Sequence, residues 1–343
     1  MPELYGRPSN SWGRLPSFIN EAARLRAFKP PFRFTDFFSP EDTLLCVIAS
    51  EAALARARLP GASMQAKAPL RIIELTSGSG LIGIHLLRIE RHSELVGIDV
   101  DESAVETARE NAAVLGVARR AMFIRGDMKS RHAMNTVSRE KPDLLVCNPP
   151  YIPEPPGTNL AVEAGAGPSG TAHIMRTLEL AHASKPRALA LSWCSLSDPE
   201  EVVLAAERAG YRLNSLFITV IADGEYSGKV EEYLRGLDGA FMNSQPETLR
   251  VVAPDGSASF GFLLMAGEFS RSSGGPRREN SDAAKHVRTI CARFARRGIA
   301  SLESIEAPFA VRTWLLDRWD EVRLRAFLHG RDGEPANEDP PTQ

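Results

Sequence analysis

Between residues 71 and 147, short apolar runs alternate with amphipathic segments, and this alternation constrains the fold more than any other feature of the chain. The apolar runs, which have the composition of strands buried on both faces, are residues 71–75, 94–98, 121–124 and 143–147. Helices are predicted between them at residues 81–90 and 102–115. Strands that alternate with helices at this spacing pair in parallel. The pattern predicts an α/β, Rossmann-like, doubly wound sheet.

Later segments extend the same pattern towards the carboxyl end. Strands are predicted at residues 186–192, 211–221 and 257–266, which brings the mostly parallel sheet to seven strands. Helices are predicted at residues 17–28, 171–183 and 199–209, and from Ser39 towards Arg58, where Pro40 and two acidic residues suit a first turn. Residues 32–38 fit a short hairpin, and residues 222–256 are long enough to form a local lid.

A rigid tetrapeptide, Asn148-Pro149-Pro150-Tyr151, follows the fourth predicted strand. Two prolines can neither continue a sheet ladder nor open a helix, so the chain leaves this strand in a fixed, extended form. The Asn148 side-chain oxygen and the Pro149 carbonyl can each accept one hydrogen of a planar NH2 group, which can pack on the Tyr151 ring. A tight turn after a strand would have the same sequence, so the tetrapeptide alone leaves both interpretations open.

A glycine-rich loop follows the first predicted strand and opens the next helix. Its residues are Thr76, Ser77, Gly78, Ser79 and Gly80. Glycines let a ligand approach the backbone, and the helix amino terminus offers unpaired N–H groups. Gly78, Gly80 and Gly83 fit G-x-G-x-x-G, and Asp99 ends the second strand. This arrangement suits the adenosine of a nicotinamide cofactor as well as that of S-adenosylmethionine.

Two further carboxylates favour S-adenosylmethionine. Glu74 lies two residues before the loop, where it would repel a pyrophosphate but attract the cationic amino-acid end of S-adenosylmethionine. Asp127 follows the third strand and adds a polar group near the expected adenine. An oxidoreductase is the less favoured alternative, and nicotinamide binding would restore it.

Taken in order, these motifs resemble class I S-adenosylmethionine-dependent methyltransferases of the HemK/PrmC type, which methylate the side-chain amide of glutamine. The resemblance covers roughly residues 37–210 and includes Ser39-Pro40-Glu41-Asp42-Thr43 and Glu163-Ala164-Gly165 with Gly170. It implies a sheet whose last strand is antiparallel. The residues that would hold the cofactor are Glu74, Thr76, Ser77, Gly78, Ser79, Gly80, Asp99, Asp127, Met128 and Asn148. The residues that would grip the substrate NH2 are Asn148, Pro149, Pro150 and Tyr151.

The sequence departs from this family at two places that bear on the substrate. Thr76 stands where the family usually has glycine, and only one or two short helices fit before Phe37, where release-factor enzymes carry a longer helical domain. A protein glutamine, in a release factor or a ribosome-associated protein, is the favoured target. The exocyclic amine of adenine in RNA or DNA is the alternative, because enzymes acting on it share the tetrapeptide. A catalytically inactive, cofactor-binding partner subunit is the third hypothesis.

Composition limits the remaining possibilities. The formal net charge of -2 gives no global sign of nucleic-acid binding. The four scattered cysteines have neither metal-ligand nor disulfide spacing, and no apolar run reaches the roughly 18 residues of a membrane span. We therefore expect a cytoplasmic protein with no metal site. The histidines on the predicted helices, including His85, His173 and His182, are expected to be structural or solvated.

Three segments are predicted along the chain: an amino-terminal arm with helices at residues 1–68, a methyltransferase domain at residues 69–270, and a helical extension at residues 281–330. The extension is expected to contain a basic helix at residues 283–297 and a second helix at residues 308–328. Its arginines, Arg288, Arg293, Arg296 and Arg297, could face RNA. Packing on the domain or on a dimer partner is the favoured explanation of the extension, and the sequence does not indicate an oligomeric state.

Overall fold

The computed structural model describes residues 32–33, 40–59, 69–158, 160–222, 225–236, 250–252, 258–272, 281–297, 301–302 and 305–314. The predicted helix at residues 17–28, most of the predicted hairpin at residues 32–38, and the end of the predicted helix at residues 308–328 lie outside these ranges. Within them, no helix is both long enough and apolar enough to cross a membrane.

A single large sheet forms the centre of the described structure. Its strands are β1 (Leu70–Leu75), β2 (Ser93–Asp99), β3 (Ala121–Arg125), β4 (Leu144–Cys147), β5 (Ala188–Cys194), β6 (Tyr211–Ala222), β7 (Arg250–Val252), β8 (Ala258–Arg271) and β9 (Ala310–Trp314). The order across the sheet is β3-β2-β1-β4-β5-β8-β6-β9, with β7 paired to β8. Strands β1 to β5 pair in parallel, and β8 runs antiparallel between β5 and β6. The expected doubly wound sheet with an antiparallel strand near its end is therefore confirmed.

Helices cover the sheet and complete the Rossmann-like arrangement. They are α1 (Pro40–Ala57), α2 (Leu81–Ile89), α3 (Glu102–Val114), α4 (Arg131–Glu140), α5 (Ala172–Ser184), α6 (Pro199–Arg208), α7 (Glu225–Lys229), α8 (Glu231–Gly236) and α9 (Asp282–Arg297). Helix α1 packs on β4, β5, β6 and β8 and on α2, whereas α4, α5, α6 and α9 contact one another in that order. Burial explains the apolar runs in the sequence, because every residue of β4 and β5 is buried.

Two predictions about the sheet are wrong. The sheet has nine strands rather than seven, because β7 adds to β8 and β9 adds beyond β6. Strand β9 lies where the sequence predicted the helix at residues 308–328. Its Val311 and Thr313 are β-branched, and pairing in parallel with the edge of β6 fixes the segment as a strand. The extension is therefore not wholly helical, although its first predicted helix is confirmed as α9.

The strand order places a crevice between β1 and β4. Strand β1 has β2 on one side and β4 on the other, so the connections leave β1 and β4 in opposite directions. Beyond the carboxyl ends of such strands, the chain cannot fill the gap with its own loops. In open α/β sheets this gap is where ligands bind, and here the glycine-rich loop and the tetrapeptide border it.

Candidate active site

A cavity of about 500 Å³ opens at this edge of the sheet. It brings together most of the predicted site residues, which are Glu74, Thr76, Ser77, Gly78, Ser79, Asp99, Asp127, Met128, Asn148 and Pro150. Gly80, Pro149 and Tyr151 do not line it. Thr43, Lys129, Val162, Glu163 and His173 also line the cavity, although the sequence did not single out these positions as cofactor or clamp residues.

The loop after β1 is held in a tight, left-handed path. Gly78 and Gly80 have φ values of 51° and 77°, which glycine adopts without strain. A side chain at Gly80 would also lie only 2.8 Å from the Phe123 ring, whereas the space around the Cβ position of Gly78 is open. A ligand can therefore reach the backbone at Gly78, while Gly80 allows the loop to pack down onto β3.

Asp99 ties the loop to the end of β2. Its Oδ2 accepts a hydrogen bond from the Gly78 N–H at 2.7 Å, and its Oδ1 accepts one from the Asp101 N–H at 3.0 Å. Burial raises the pKa of Asp99, and these two backbone donors lower it. Carboxylate oxygens can accept more than one hydrogen bond, so Asp99 can fix the loop and still accept a ribose hydroxyl from the cavity.

Glu74 is almost completely buried beneath the same loop. Its Oε2 accepts the Gly83 N–H at 3.1 Å, which attaches the start of α2 to the end of β1. Burial raises the pKa of Glu74 to about 8, and the bond from Gly83 opposes that rise. A cationic group entering the cavity beside Glu74 would favour the ionised carboxylate.

Asn148 presents an acceptor for which the described part of the chain supplies no partner. Its Oδ1 is buried, and no described residue donates a hydrogen bond to it. A buried amide oxygen without a donor costs free energy, on the order of 1–3 kcal/mol, so such atoms are uncommon unless a ligand or water supplies the donor. The side chain lines the cavity, which makes a ligand NH group the natural partner.

Tyr151 is anchored behind the cavity by a residue from the start of α1. Its hydroxyl donates to Asp42 Oδ2 at 2.6 Å, and both side chains are buried. Burial raises the pKa of Asp42 to about 7, although the bond from Tyr151 lowers it, and burial also raises the pKa of Tyr151. Sequence reasoning treated Asp42 as a first-turn acid and as part of a family motif, and it did not connect Asp42 to Tyr151.

The described part of the chain after the tetrapeptide folds back towards the cavity. Ile152 and Gly165 form a parallel bridge, and the Glu154 carboxylate accepts N–H bonds from Leu160 and Gly167 at 2.9 and 3.3 Å. Val162 and Glu163 line the cavity. The segment therefore contributes to the wall of the site, and its role as a loop that covers the substrate stays a prediction.

His173 also lines the cavity. Its Nδ1 and the Oγ of Ser77 are buried, and neither atom has a hydrogen-bond partner among the described residues. Burial, followed by the charge of Lys129, lowers the pKa of His173 to about 4, so the imidazole is neutral at physiological pH. No sequence pattern distinguishes this histidine from the others, since it lies on an ordinary amphipathic helix and reaches the site only through packing.

The raised pKa values of Glu74 and Asp42 predict that stability falls as the pH rises. In the unfolded chain these carboxyls titrate at about pH 4, whereas in the folded protein they keep their protons to about pH 8 and about pH 7. Between about pH 4 and about pH 8 the folded state thus binds more protons than the unfolded chain, and the free energy of unfolding decreases as the pH rises through this range.

Denaturant unfolding without cofactor at pH 5, 6, 7 and 8 measures this dependence. Glu74→Gln and Asp42→Asn should each reduce the fall in the free energy of unfolding with pH. Glu94→Gln, at an exposed position on β2, should leave this fall unchanged. A wild-type profile that is flat or rises with pH would contradict the prediction.

Comparison with known proteins shows that the part of the chain that contains this site is similar to methyltransferases. Residues 58–163 match the family model described as Methyltransferase small domain. The chain is 42% identical over 83 residues to a release factor glutamine methyltransferase of Rhodospirillum rubrum, which covers 24% of each chain. It is 34% identical over 120 residues to the protein of that name from Chlorobaculum tepidum, covering 34% of this chain and 40% of the relative.

A third relative acts on RNA. A tRNA1(Val) (adenine(37)-N6)-methyltransferase of Porphyromonas gingivalis is 30% identical over 84 residues, which cover 24% of this chain and 33% of the relative. The chain thus matches between 24% and 40% of the length of these three relatives. The segment that matches the family model, residues 58–163, contains the glycine-rich loop, Asp99, Asp127 and the tetrapeptide. Residues 58–163 therefore match a methyltransferase domain, and part of the chain is similar to release factor glutamine methyltransferases.

Proposed function

We propose that the protein transfers the methyl group of S-adenosylmethionine to a planar NH2 group, and that this group is a glutamine side chain of a protein. The observation that carries the proposal is the buried, unpartnered Oδ1 of Asn148 at the cavity wall. An amide NH2 supplies two donors on a flat group. Asn148 Oδ1 would accept one of these hydrogens. The second acceptor that we propose is the carbonyl of Pro149, which lies between two residues that line the cavity but does not line it itself.

The cavity has the groups that S-adenosylmethionine requires. Gly78 leaves open space beside the backbone, Asp99 stands ready for ribose hydroxyls, and Glu74 faces the cavity where a cationic amino-acid end would need a carboxylate. Ser77 Oγ and His173 Nδ1 add two buried polar atoms that lack a partner within the described chain. When bound, the cofactor supplies a methyl group that its sulfonium centre has already activated.

The chain's own residues then have to align the target nitrogen and stabilise the charge that develops on it. Holding the nitrogen in one orientation removes much of the entropic barrier. Acceptors aimed at both N–H hydrogens become more favourable as the nitrogen gains positive charge, so they lower the barrier to transfer. The nitrogen loses one of these protons after the new bond has formed, so the site needs no strong base.

An exocyclic adenine amine in RNA or DNA is the second candidate. It is favoured by the similarity to the tRNA1(Val) (adenine(37)-N6)-methyltransferase, whose name places its target on such an amine. The exposed side chains of Lys285, Arg293 and Arg297 on α9 could contribute phosphate contacts. Adenine N6 is also a planar NH2, so the same acceptors would serve it.

Transfer of a labelled methyl group from S-adenosylmethionine into a cell extract distinguishes these targets. We expect label that protease removes, that nuclease leaves in place, and that tandem mass spectrometry of peptides from the modified protein assigns to glutamine. Label removed by nuclease alone would replace the protein target with a nucleobase. No transfer to any component, alongside measurable cofactor binding, would favour the inactive partner subunit and refute the proposed activity.

A further inference from the structure

Thr76 and Asn148 leave adjacent strands side by side. Strands β1 and β4 pair in parallel, and their last register partners are Leu75 and Cys147. The next residue on each strand is therefore Thr76, at the start of the cofactor loop, and Asn148, at the start of the tetrapeptide. The Thr76 hydroxyl lies 3.0 Å from the backbone carbonyl oxygen of Asn148 and 2.6 Å from that of Leu75. One side chain thus bridges the two segments that border the cavity.

The backbone of Thr76 is held in a conformation that its side chain disfavours. Its φ is 53°, a left-handed value that is unusual for any residue but glycine and a clear outlier for a β-branched one. A glycine would adopt this φ without strain. Residues held in such conformations by their surroundings cluster at functional sites. Threonine, unlike glycine, has a hydroxyl, whose single hydrogen can be donated to the Asn148 carbonyl on the neighbouring strand or to the Leu75 carbonyl on its own strand.

We propose that Thr76 is a positioning residue of the substrate site, whose hydroxyl fixes the carbonyl of Asn148 and so orients the tetrapeptide relative to the cofactor loop. The inference rests on the proposed function, since it assigns a role in the same transfer reaction. Thr76 is not proposed to contact the reacting atoms.

The physical consequence of the bond follows from the peptide geometry. The Asn148 carbonyl belongs to the planar peptide that joins Asn148 to Pro149, so a fixed carbonyl fixes that whole plane. The plane sets the direction in which the Asn148 side chain and the Pro149 residue leave the strand. Both proposed acceptors for the NH2 group are therefore placed before the substrate arrives, which is the condition for effective alignment.

Three substitutions separate the hydroxyl from the other properties of threonine. Thr76→Ser keeps the hydroxyl without the methyl, Thr76→Ala removes the hydroxyl and keeps a Cβ, and Thr76→Gly removes both and relieves the left-handed strain. We expect Thr76→Ser to keep kcat within about threefold and the other two to lose about tenfold or more. Because Thr76 also lines the cofactor cavity, the Kd for S-adenosylhomocysteine is measured by calorimetry, and kcat is compared at saturating cofactor so that a change in cofactor affinity does not contribute to the loss.

Thermal unfolding distinguishes a role of Thr76 in positioning the tetrapeptide from a role in stabilising the fold. Thr76→Gly should unfold at the same temperature as the wild type or higher, because glycine tolerates the backbone conformation, and yet it should turn over more slowly. Wild-type kcat in both Thr76→Ala and Thr76→Gly would overturn the proposal. A Thr76→Ser variant as slow as Thr76→Gly would also overturn it, because the hydroxyl would then not be the important group.

Hydrogen exchange tests the bond without any turnover. In the protein alone, Thr76→Gly should speed exchange at the amides of Tyr151 and Ile152, whereas Thr76→Ser should leave it near the wild-type rate. Unchanged exchange in Thr76→Gly would refute the role of Thr76 even if methyl transfer were never detected. A wild-type protein with no transfer activity but the expected exchange pattern would refute the proposed reaction and leave the bond between the two segments established.

Discussion

Asn148→Ala should reduce methyl transfer by about 100- to 1,000-fold while the protein still binds its cofactor. The magnitude is that of removing one preorganised hydrogen-bonding group from a catalytic site. The reason is that Asn148 Oδ1 is buried at the cavity wall and has no partner in the described chain, so it can accept a hydrogen bond from the substrate. Cofactor affinity should stay within about fivefold, or about 1 kcal/mol, because Asn148 is only one of the expected cofactor contacts and the others lie at or just beyond the carboxyl ends of β1, β2 and β3. Single-turnover transfer and calorimetry with S-adenosylhomocysteine measure the two quantities.

Asn148→Asp serves as the matched control, because it keeps an oxygen acceptor at the same position, although it replaces the amide nitrogen with a second oxygen and adds an ionisable carboxyl group. We expect it to retain more activity than Asn148→Ala, since the proposal gives the acceptor the main role. Equal loss in both variants would show that the oxygen is not the important atom. Full activity in Asn148→Ala would remove the basis for an NH2 target altogether.

The parts of this fold that local sequence pattern specifies were predicted well. Strands β1, β4 and β5 are buried along most of their length, so their apolar runs leave little ambiguity. The loop from Thr76 to Gly80 follows a strand and opens a helix, which locates it at the carboxyl edge of a parallel sheet. These local features predicted a crevice beyond the carboxyl end of the strand that precedes the tetrapeptide, whereas the strand order that makes β1 and β4 neighbours comes from the structure.

Elements that depend on distant partners were missed. Helix α4 has only Ala133, Thr136 and Val137 buried, so its apolar face is too narrow to recognise, although Ser130 caps it with a bond to the Ala133 N–H. Strand β9 was predicted as a helix because its pairing partner, β6, lies about 100 residues earlier. Local propensity does not carry information about such pairing.

Within the site, the sequence predicted the residues that belong to recognisable motifs. It did not predict the residues that reach the site only because distant helices and strands pack together. Thr76 could be recognised as a departure from the family, but only the distance to the Asn148 carbonyl shows what its side chain does. Asp42 lies more than 100 positions before Tyr151, and His173 reaches the cavity from α5. Their roles depend on the relative placement of helices and strands, which no spacing along the chain encodes.

Gly170→Ala should impair transfer far more than Gly157→Ala, although both glycines lie in the loop that follows the tetrapeptide. Gly170 has a φ of 70° and Gly157 a φ of 84°, so alanine is strained at either position, by about 1–2 kcal/mol. The surroundings differ. A Cβ at Gly170 would lie 2.5 Å from the Tyr151 carbonyl oxygen and 2.9 Å from the Pro153 ring, whereas nothing lies within 4 Å of a Cβ at Gly157.

The comparison therefore separates backbone strain from displacement of the substrate site. Relief of the contact at Gly170 must move the Tyr151 carbonyl or the loop, and the Tyr151 hydroxyl is anchored to Asp42 on α1. A displacement of this kind can cost about 100-fold in rate, so we expect kcat/KM to fall by that order in Gly170→Ala and by less than about threefold in Gly157→Ala. Parallel measurements of kcat/KM and Tm on the two variants provide the check. Equal losses of kcat/KM in the two variants would show that backbone strain alone causes the loss. Wild-type activity in Gly170→Ala would show that the loop does not hold Tyr151 in place for the reaction.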